Sequence, residues 1–151
     1  MNMPFDGAKL SLFVGKTMMV ILRDDDRSIA WPNHWDFPGG GREGAETPLE
    51  CALRETKEEL GLSIDPDLVV WGKCTEQKTG DKWFFVAQAA PEVVADVVFG
   101  DEGQRWDLMT PEQYCKLPNH IPRMAEQLQN YLVGNTGDLF ERAPRDRCGG
   151  R

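Results

Sequence analysis

Histidine and cysteine are scarce in this chain, with two of the first and four of the second among 151 residues. Cys51, Cys74, Cys115 and Cys148 form no C-x-x-C pair and have no histidine at zinc spacing, which argues against a zinc module or a disulfide scaffold. Thiols scattered in this way are expected to be reduced, in a cytoplasmic protein. His34 and His120 are expected at the surface and outside any catalysis. Long apolar runs are also missing: nothing approaches the roughly 20 residues of a membrane span, and no basic-then-apolar leader opens the sequence. Positive charge is in deficit, at 17 Lys+Arg against 25 Asp+Glu, a net −8. That balance argues against a nucleic acid polymer or an anionic membrane as partner. It leaves small anionic substrates open, because a bound cation inverts the local charge. No internal repeat or linker divides the chain, and 40% hydrophobic residues suffice for one core.

The chain is rich in clustered carboxylates. Arg54-Glu55-Thr56-Lys57-Glu58-Glu59-Leu60-Gly61-Leu62 places three glutamates at i, i+3 and i+4, on one face of a helix. Like charges that close repel, and they become favourable around a hard divalent cation that prefers carboxylate oxygens. A solvated acidic helix face is the plainer reading of these three residues alone. The helix is well marked. Thr47 and Glu50 make a capping box with Pro48 at the first helical position, and Gly61 suits the end of the helix. Leu49, Ala52, Leu53, Thr56 and Leu60 form the inward stripe, so the glutamates lie on a separate face. Upstream, Trp35-Asp36-Phe37-Pro38 leads into Gly39-Gly40-Gly41, a run that lets backbone approach a ligand closely or simply turns.

Taken together, Gly40, Glu46, Arg54, Glu55, Glu58, Glu59, Gly61 and Leu62 resemble the box of the Nudix hydrolases, Gly-x5-Glu-x7-Arg-Glu-U-x-Glu-Glu-x-Gly-U, where U is a bulky aliphatic residue. Thr56 stands where an aliphatic residue is usual; its methyl can pack inward and its hydroxyl can bond back to the helix. The resemblance, MutT-like in character, implies an α/β fold: an α/β/α sandwich around a mixed sheet. It implies Mg²⁺, or Mn²⁺ in its place, held by Glu55, Glu58 and Glu59 with the Gly40 carbonyl as a backbone addition. It casts Arg54 and Glu46 as a structural salt bridge behind the site. Glu102, in Asp101-Glu102-Gly103-Gln104-Arg105-Trp106, resembles the loop that supplies a further catalytic or metal-binding glutamate in MutT-type members; an ordinary acidic turn is the alternative. Which of Glu55, Glu58, Glu59 and Glu102 serves as base is not decidable at this level.

Lys9 to Val14 and Thr17 to Leu22 read as a hairpin around Gly15-Lys16. Asp24-Asp25-Asp26 reads as a solvated turn. Further strands are expected at Leu68 to Cys74, Trp83 to Ala89 and Trp106 to Met109, with Val93 to Phe99 either a strand or irregular. Thr110 starts a helix, and a last helix over Ile121 to Leu132 turns Ile121, Met124, Leu128 and Leu132 inward. Residues 1–133 are expected to form one Nudix domain and 134–151 a mobile tail.

The expected activity is Mg²⁺-dependent cleavage of the pyrophosphate linkage of a nucleotide, a nucleoside triphosphate yielding monophosphate and pyrophosphate. A nucleotide-sugar or dinucleotide pyrophosphatase is the alternative enzyme, and a non-catalytic nucleotide-sensing domain the alternative of another class. Arg23 is a candidate for phosphate contact against the plainer surface arginine. Asn119 could read a purine edge or cap a helix, and Trp35 is among the aromatics that could stack on a base or fill the core. The expected partner is a small nucleotide; monomer and homodimer both stay open.

Overall fold

The computed structural model describes residues 5–138. Strands β1 (Phe5–Val14) and β2 (Thr17–Leu22) form the expected hairpin, with Gly15 at φ +63 in its turn. β1 begins four residues before the predicted start, and that length lets it serve three partners. Its far end pairs antiparallel with β2, and its beginning pairs antiparallel with β4 (Gly39–Gly41) through Gly7↔Gly41 and Lys9↔Gly39. Its other edge runs parallel to β6 (Asp81–Ala89) from Ala8↔Trp83 to Val14↔Ala89. β3 (Trp35–Asp36) and β7 (Arg105–Met109) pair antiparallel with β2, and β5 (Val69–Thr75) with β6. The sheet is therefore mixed.

Side-chain alternation sorts the sheet into two faces. Met19, Ile21, Leu10, Leu12 and Phe85 pack with Cys51, Ala52 and Leu60 of α1 (Pro48–Leu60). Met18, Val20, Leu22, Phe84 and Val86 pack on the opposite side against Tyr114 of α2 (Pro111–Lys116) and Met124 and Leu128 of α3 (Pro122–Leu132). Helices thus cover both faces, the three-layer sandwich expected from the sequence. Buried Tyr114 ties the layers: its hydroxyl donates to the Trp35 carbonyl at 2.7 Å and accepts from the Ile121 amide at 3.0 Å.

Of the two readings of 93–99, strand and irregular, the irregular one holds, with a 3-10 turn over Pro91–Asp96. Several expectations need correction. Leu132 does not face the core; it is 47% exposed, the last residue of α3. His34 and His120 are half-buried, each with Nδ1 bonded to a backbone carbonyl. Cys51 and Cys115 are free thiols, whereas Cys74 is disulfide-bonded. Of the tail expected from Gly134, residues 139–151 lie outside the described residues. Before them, the Asn135 carbonyl accepts from Trp71 Nε1, and the Asp138 carboxylate accepts from the Cys74 amide on β5.

Candidate active site

α1 carries the clustered carboxylates, and its local chemistry follows the sequence. Thr47 Oγ1 accepts from the Glu50 amide, Glu50 returns the bond to the Thr47 amide, and Gly61 closes the helix at φ +71. Thr56 is fully buried and donates to the Ala52 carbonyl at 2.8 Å. The glycine run is a strand, β4, wedged between β1 and α1. A Cβ on Gly39, at φ +145, would lie 2.2 Å from the Ala8 carbonyl, and one on Gly40 would lie 2.7 Å from the Glu55 carboxylate. Only glycine allows the backbone to pass so near both.

Arg54 fastens this junction. Its Nε and Nη2 donate to the two Glu46 oxygens at 2.9 Å each, and Nη2 also donates to the Gly41 carbonyl at 2.9 Å. Nη1 reaches Glu58 at 3.0 Å and Glu55 at 3.2 Å. The paired guanidinium holds the Glu46 carboxyl down to about 2, and Glu46 in turn raises the Arg54 pKa further.

The remaining acids behave differently. Burial pushes Glu59 up to about 7, although its Oε1 accepts from the Gly39 amide at 2.9 Å and Lys9 lies near. Burial also raises Glu55, partly offset by Arg54. Two acids are thus held against the glycine strand in surroundings that disfavour their charge, while Glu58 is exposed beside them. Among the described residues no three His, Cys, Asp or Glu side chains are gathered as a finished metal cage. The donor set nevertheless fits a hard divalent cation in kind, being all oxygen. The under-compensated burial of Glu55 and Glu59 is what such a cation would relieve.

Across β4 from these acids, a cleft of about 560 Å³ opens toward α3. Lys9 and Arg23 stand in its wall and share the buried Asp36, at 2.8 and 3.2 Å. Arg23 Nε also donates to the Ala30 carbonyl. Lys82, paired with Asp6, and Arg123, exposed and without an ion pair among the described residues, add positive charge. An acidic protein therefore presents a cationic cleft. A smaller cavity of about 210 Å³ is lined by Arg23, Glu59 and Glu102, which brings the exposed Glu102 to the same side as Glu59.

The structure thus assembles Glu46, Arg54, Glu55, Glu58 and Glu59 around Gly40, and sets Arg23 and Glu102 nearby. It separates two other candidates from the site. Asn119 neither caps α3, whose N-cap is Ile121, nor stands free: its Nδ2 donates to the Asn33 carbonyl and its carbonyl accepts from the Trp35 amide. Trp35 is buried in the core under the Arg105 guanidinium, 4.9 Å from its ring centroid; the exposed Trp31 lines the cleft instead. Lys9 and Asp36 were missed by sequence reasoning. Their signal was slight: a lone lysine at an inward-facing strand start and an acid inside an aromatic run.

A model of the NUDIX domain family matches residues 10–131. An RNA pyrophosphohydrolase of Halorhodospira halophila is 32% identical over 145 residues, covering 75% of this chain and 78% of that protein. Among solved structures, a MutT protein from Methanosarcina mazei Go1 superposes with a TM-score of 0.69 at 19% identity, over 89% of this chain and 98% of that one. An Ap4A hydrolase from C. elegans gives 0.65 at 22% identity, over 84% and 96%. These two likenesses establish the fold.

Proposed function

The chain belongs to the NUDIX domain family and is a hydrolase of pyrophosphate bonds in nucleotide-like substrates, and on that premise we propose that it cleaves a nucleoside triphosphate to monophosphate and pyrophosphate with Mg²⁺ as cofactor. The observation that carries this reading is the pairing of two half-buried, under-compensated carboxylates, Glu55 and Glu59, with a cationic cleft just across the glycine strand. Glu55, Glu58 and Glu59, with the Gly40 carbonyl, would hold the cation. When bound, Mg²⁺ neutralises phosphate oxygens and acidifies the attacking water. Arg54 and Glu46 hold the glycine strand to α1. Lys9 and Arg23 meet the negative charge of the phosphate chain. Glu59 or Glu102 accepts the proton that water loses as its oxygen bonds to phosphorus and the anhydride oxygen leaves with pyrophosphate.

A cytoplasmic setting belongs to the same reading, although the bonded Cys74 is not what reduced thiols would give. A second reading, the triphosphate end of an RNA, is favoured by the named activity of the 32% identical relative and opposed by the net charge of −8. A hydrolysis panel decides. Nucleoside triphosphates, a dinucleoside tetraphosphate, a nucleotide-sugar and a 5′-triphosphorylated RNA are each incubated with Mg²⁺ and with chelator. Mg²⁺-dependent pyrophosphate release, fastest from a nucleoside triphosphate, is expected. Turnover of RNA alone supports the second reading, and no turnover of any member overturns both.

A further inference from the structure

Gln127 is a polar residue within the apolar inner stripe of α3, three positions after Met124 and one before Leu128. It is 4% exposed. Its Nε2 donates to Thr75 Oγ1 at 2.9 Å, and Oε1 lies buried with no hydrogen-bond partner among the described residues. A dry amide carbonyl without a donor is destabilising, and folded proteins leave few of them. The side chain lines the α3-side cleft together with Phe84, Met124 and Thr75. One end of the cleft therefore carries an aromatic and a thioether wall with the unused Gln127 acceptor. The other end carries Lys9 and Arg23 beside the glycine strand. That polarity suits a nucleotide laid along the cleft, phosphates toward the cations and base toward α3.

We infer that Gln127 is the base-reading residue of this site, its Oε1 accepting a hydrogen bond from the exocyclic amino group of the bound nucleobase. This rests on the reading of the substrate as a nucleotide and narrows it to amino-bearing bases. A buried acceptor that only the right ligand satisfies rejects analogues lacking the donor far more strongly than a hydrophobic wall does. Thr75 is the positioning residue, since its hydroxyl oxygen accepts from the amide nitrogen and leaves Oε1 as the unused end.

The test uses calorimetric binding of monophosphates to the full chain in chelator, so that neither metal nor hydrolysis enters. Three pairs differ only by the amino group: AMP and purine riboside monophosphate, GMP and IMP, CMP and 2-pyrimidinone ribonucleotide. Wild type is expected to bind the amino member of at least one pair about tenfold or more tightly than its partner. Gln127→Met, close in volume, should erase that preference by weakening the amino nucleotide while leaving the analogue within about twofold. Thr75→Val, which keeps the shape and frees the amide to turn, should shrink the preference less. Equal affinity within every pair, or no binding of any of the six, overturns the inference. So does equal weakening of both members by Gln127→Met, the mark of a packing role. Base-blind binding combined with Mg²⁺-dependent turnover in the hydrolysis panel would sink Gln127 as reader and spare the proposed reaction. Preferential binding without turnover would do the reverse.

Discussion

Glu46 and Glu59 flank the two ends of the same helix, and their surroundings drive them in opposite directions. At the N-terminal end, the Arg54 fork holds Glu46 down to about 2. At the C-terminal end, burial lifts Glu59 to about 7 despite the Gly39 amide. The first acid is neutralised by the protein itself, so its function is complete within the fold. The second is placed where its charge is unwelcome, which a domain tolerates where something from outside completes the arrangement. The contrast separates scaffold from site more sharply than the motif does, since the motif spells both with the same residue type.

The largest effect should come from breaking the C-terminal end. Glu58→Gln or Glu59→Gln is expected to lower kcat by at least about a hundredfold with the fold intact, measured under saturating Mg²⁺. Glu59 also predicts a stability signature in chelator. Because its folded pKa is raised, the folded chain keeps a proton that the unfolded chain gives up near 4.5. Stability is therefore lost as pH rises from about 4.5 through 7. Wild-type Tm should fall relative to Glu59→Gln across that window. Parallel curves together with wild-type turnover would remove Glu59 from the site.

Glu102→Gln should have a smaller effect, lowering kcat by about tenfold or more with little change in Tm, because the side chain is exposed beside the cavity it shares with Glu59. If Glu102 is the base, the acidic limb of the pH–rate profile moves as well. Full rate with an unmoved profile would return the proton to Glu59 or its neighbours.

Much of the helical region was legible because its signals are local. Thr47, Pro48, Glu50, Thr56 and Gly61 each act on backbone within four residues, so spacing alone predicts what they bond. Strand alternation in β2 and β6 was legible for the same reason. The short strands β3 and β4 were not, since two or three residues carry no period and each exists only through its pairing with a longer strand, β3 with β2 and β4 with β1. The surroundings of Trp35 and Asn119 were not legible, because both are engaged by tertiary contacts to the 33–36 segment, α2 and β7, which no local pattern encodes. Gln127 lies on the inward stripe of α3. A search for apolar residues at helical spacing passes over the one polar member, although a polar residue on a buried stripe is itself the signal.

At the N-terminal end the expected effect is on stability first. Arg54→Ala leaves Glu46 half-buried without its partner, a loss of about 2 kcal/mol. In a domain of this size that lowers Tm by roughly 4–8 °C. Rate should fall with it as the glycine strand loosens. The sign of the pH dependence is opposite to that of Glu59. With the Glu46 pKa depressed, the pair stabilises the fold above about 4.5, and the contribution is lost as pH falls toward about 2. The Tm gap between wild type and Arg54→Ala should therefore close in acid. A variant with unchanged Tm and lost activity would instead make Arg54 a substrate contact.

The smallest effect belongs to the core-facing side of α1, and it sharpens the contrast between the two ends by supplying a control. Thr56 occupies a position where the Nudix box usually has an aliphatic residue, and it is fully buried with its hydroxyl bonded to the Ala52 carbonyl. That carbonyl already accepts the helical amide four residues on, so the threonine bond adds little, and back-bonding of this kind tends to strain a helix slightly. Thr56→Val keeps the shape, removes the hydroxyl and leaves no required acceptor empty. Tm should stay within about 2 °C of wild type, with a rise as easily accommodated as a fall, and kcat should stay within about twofold. A loss of several degrees would show that the Ala52 carbonyl depends on the hydroxyl. A loss of rate at constant Tm would show that the inward stripe, and not only the acid-bearing face, sets the position of Glu55 and Glu59 against the glycine strand.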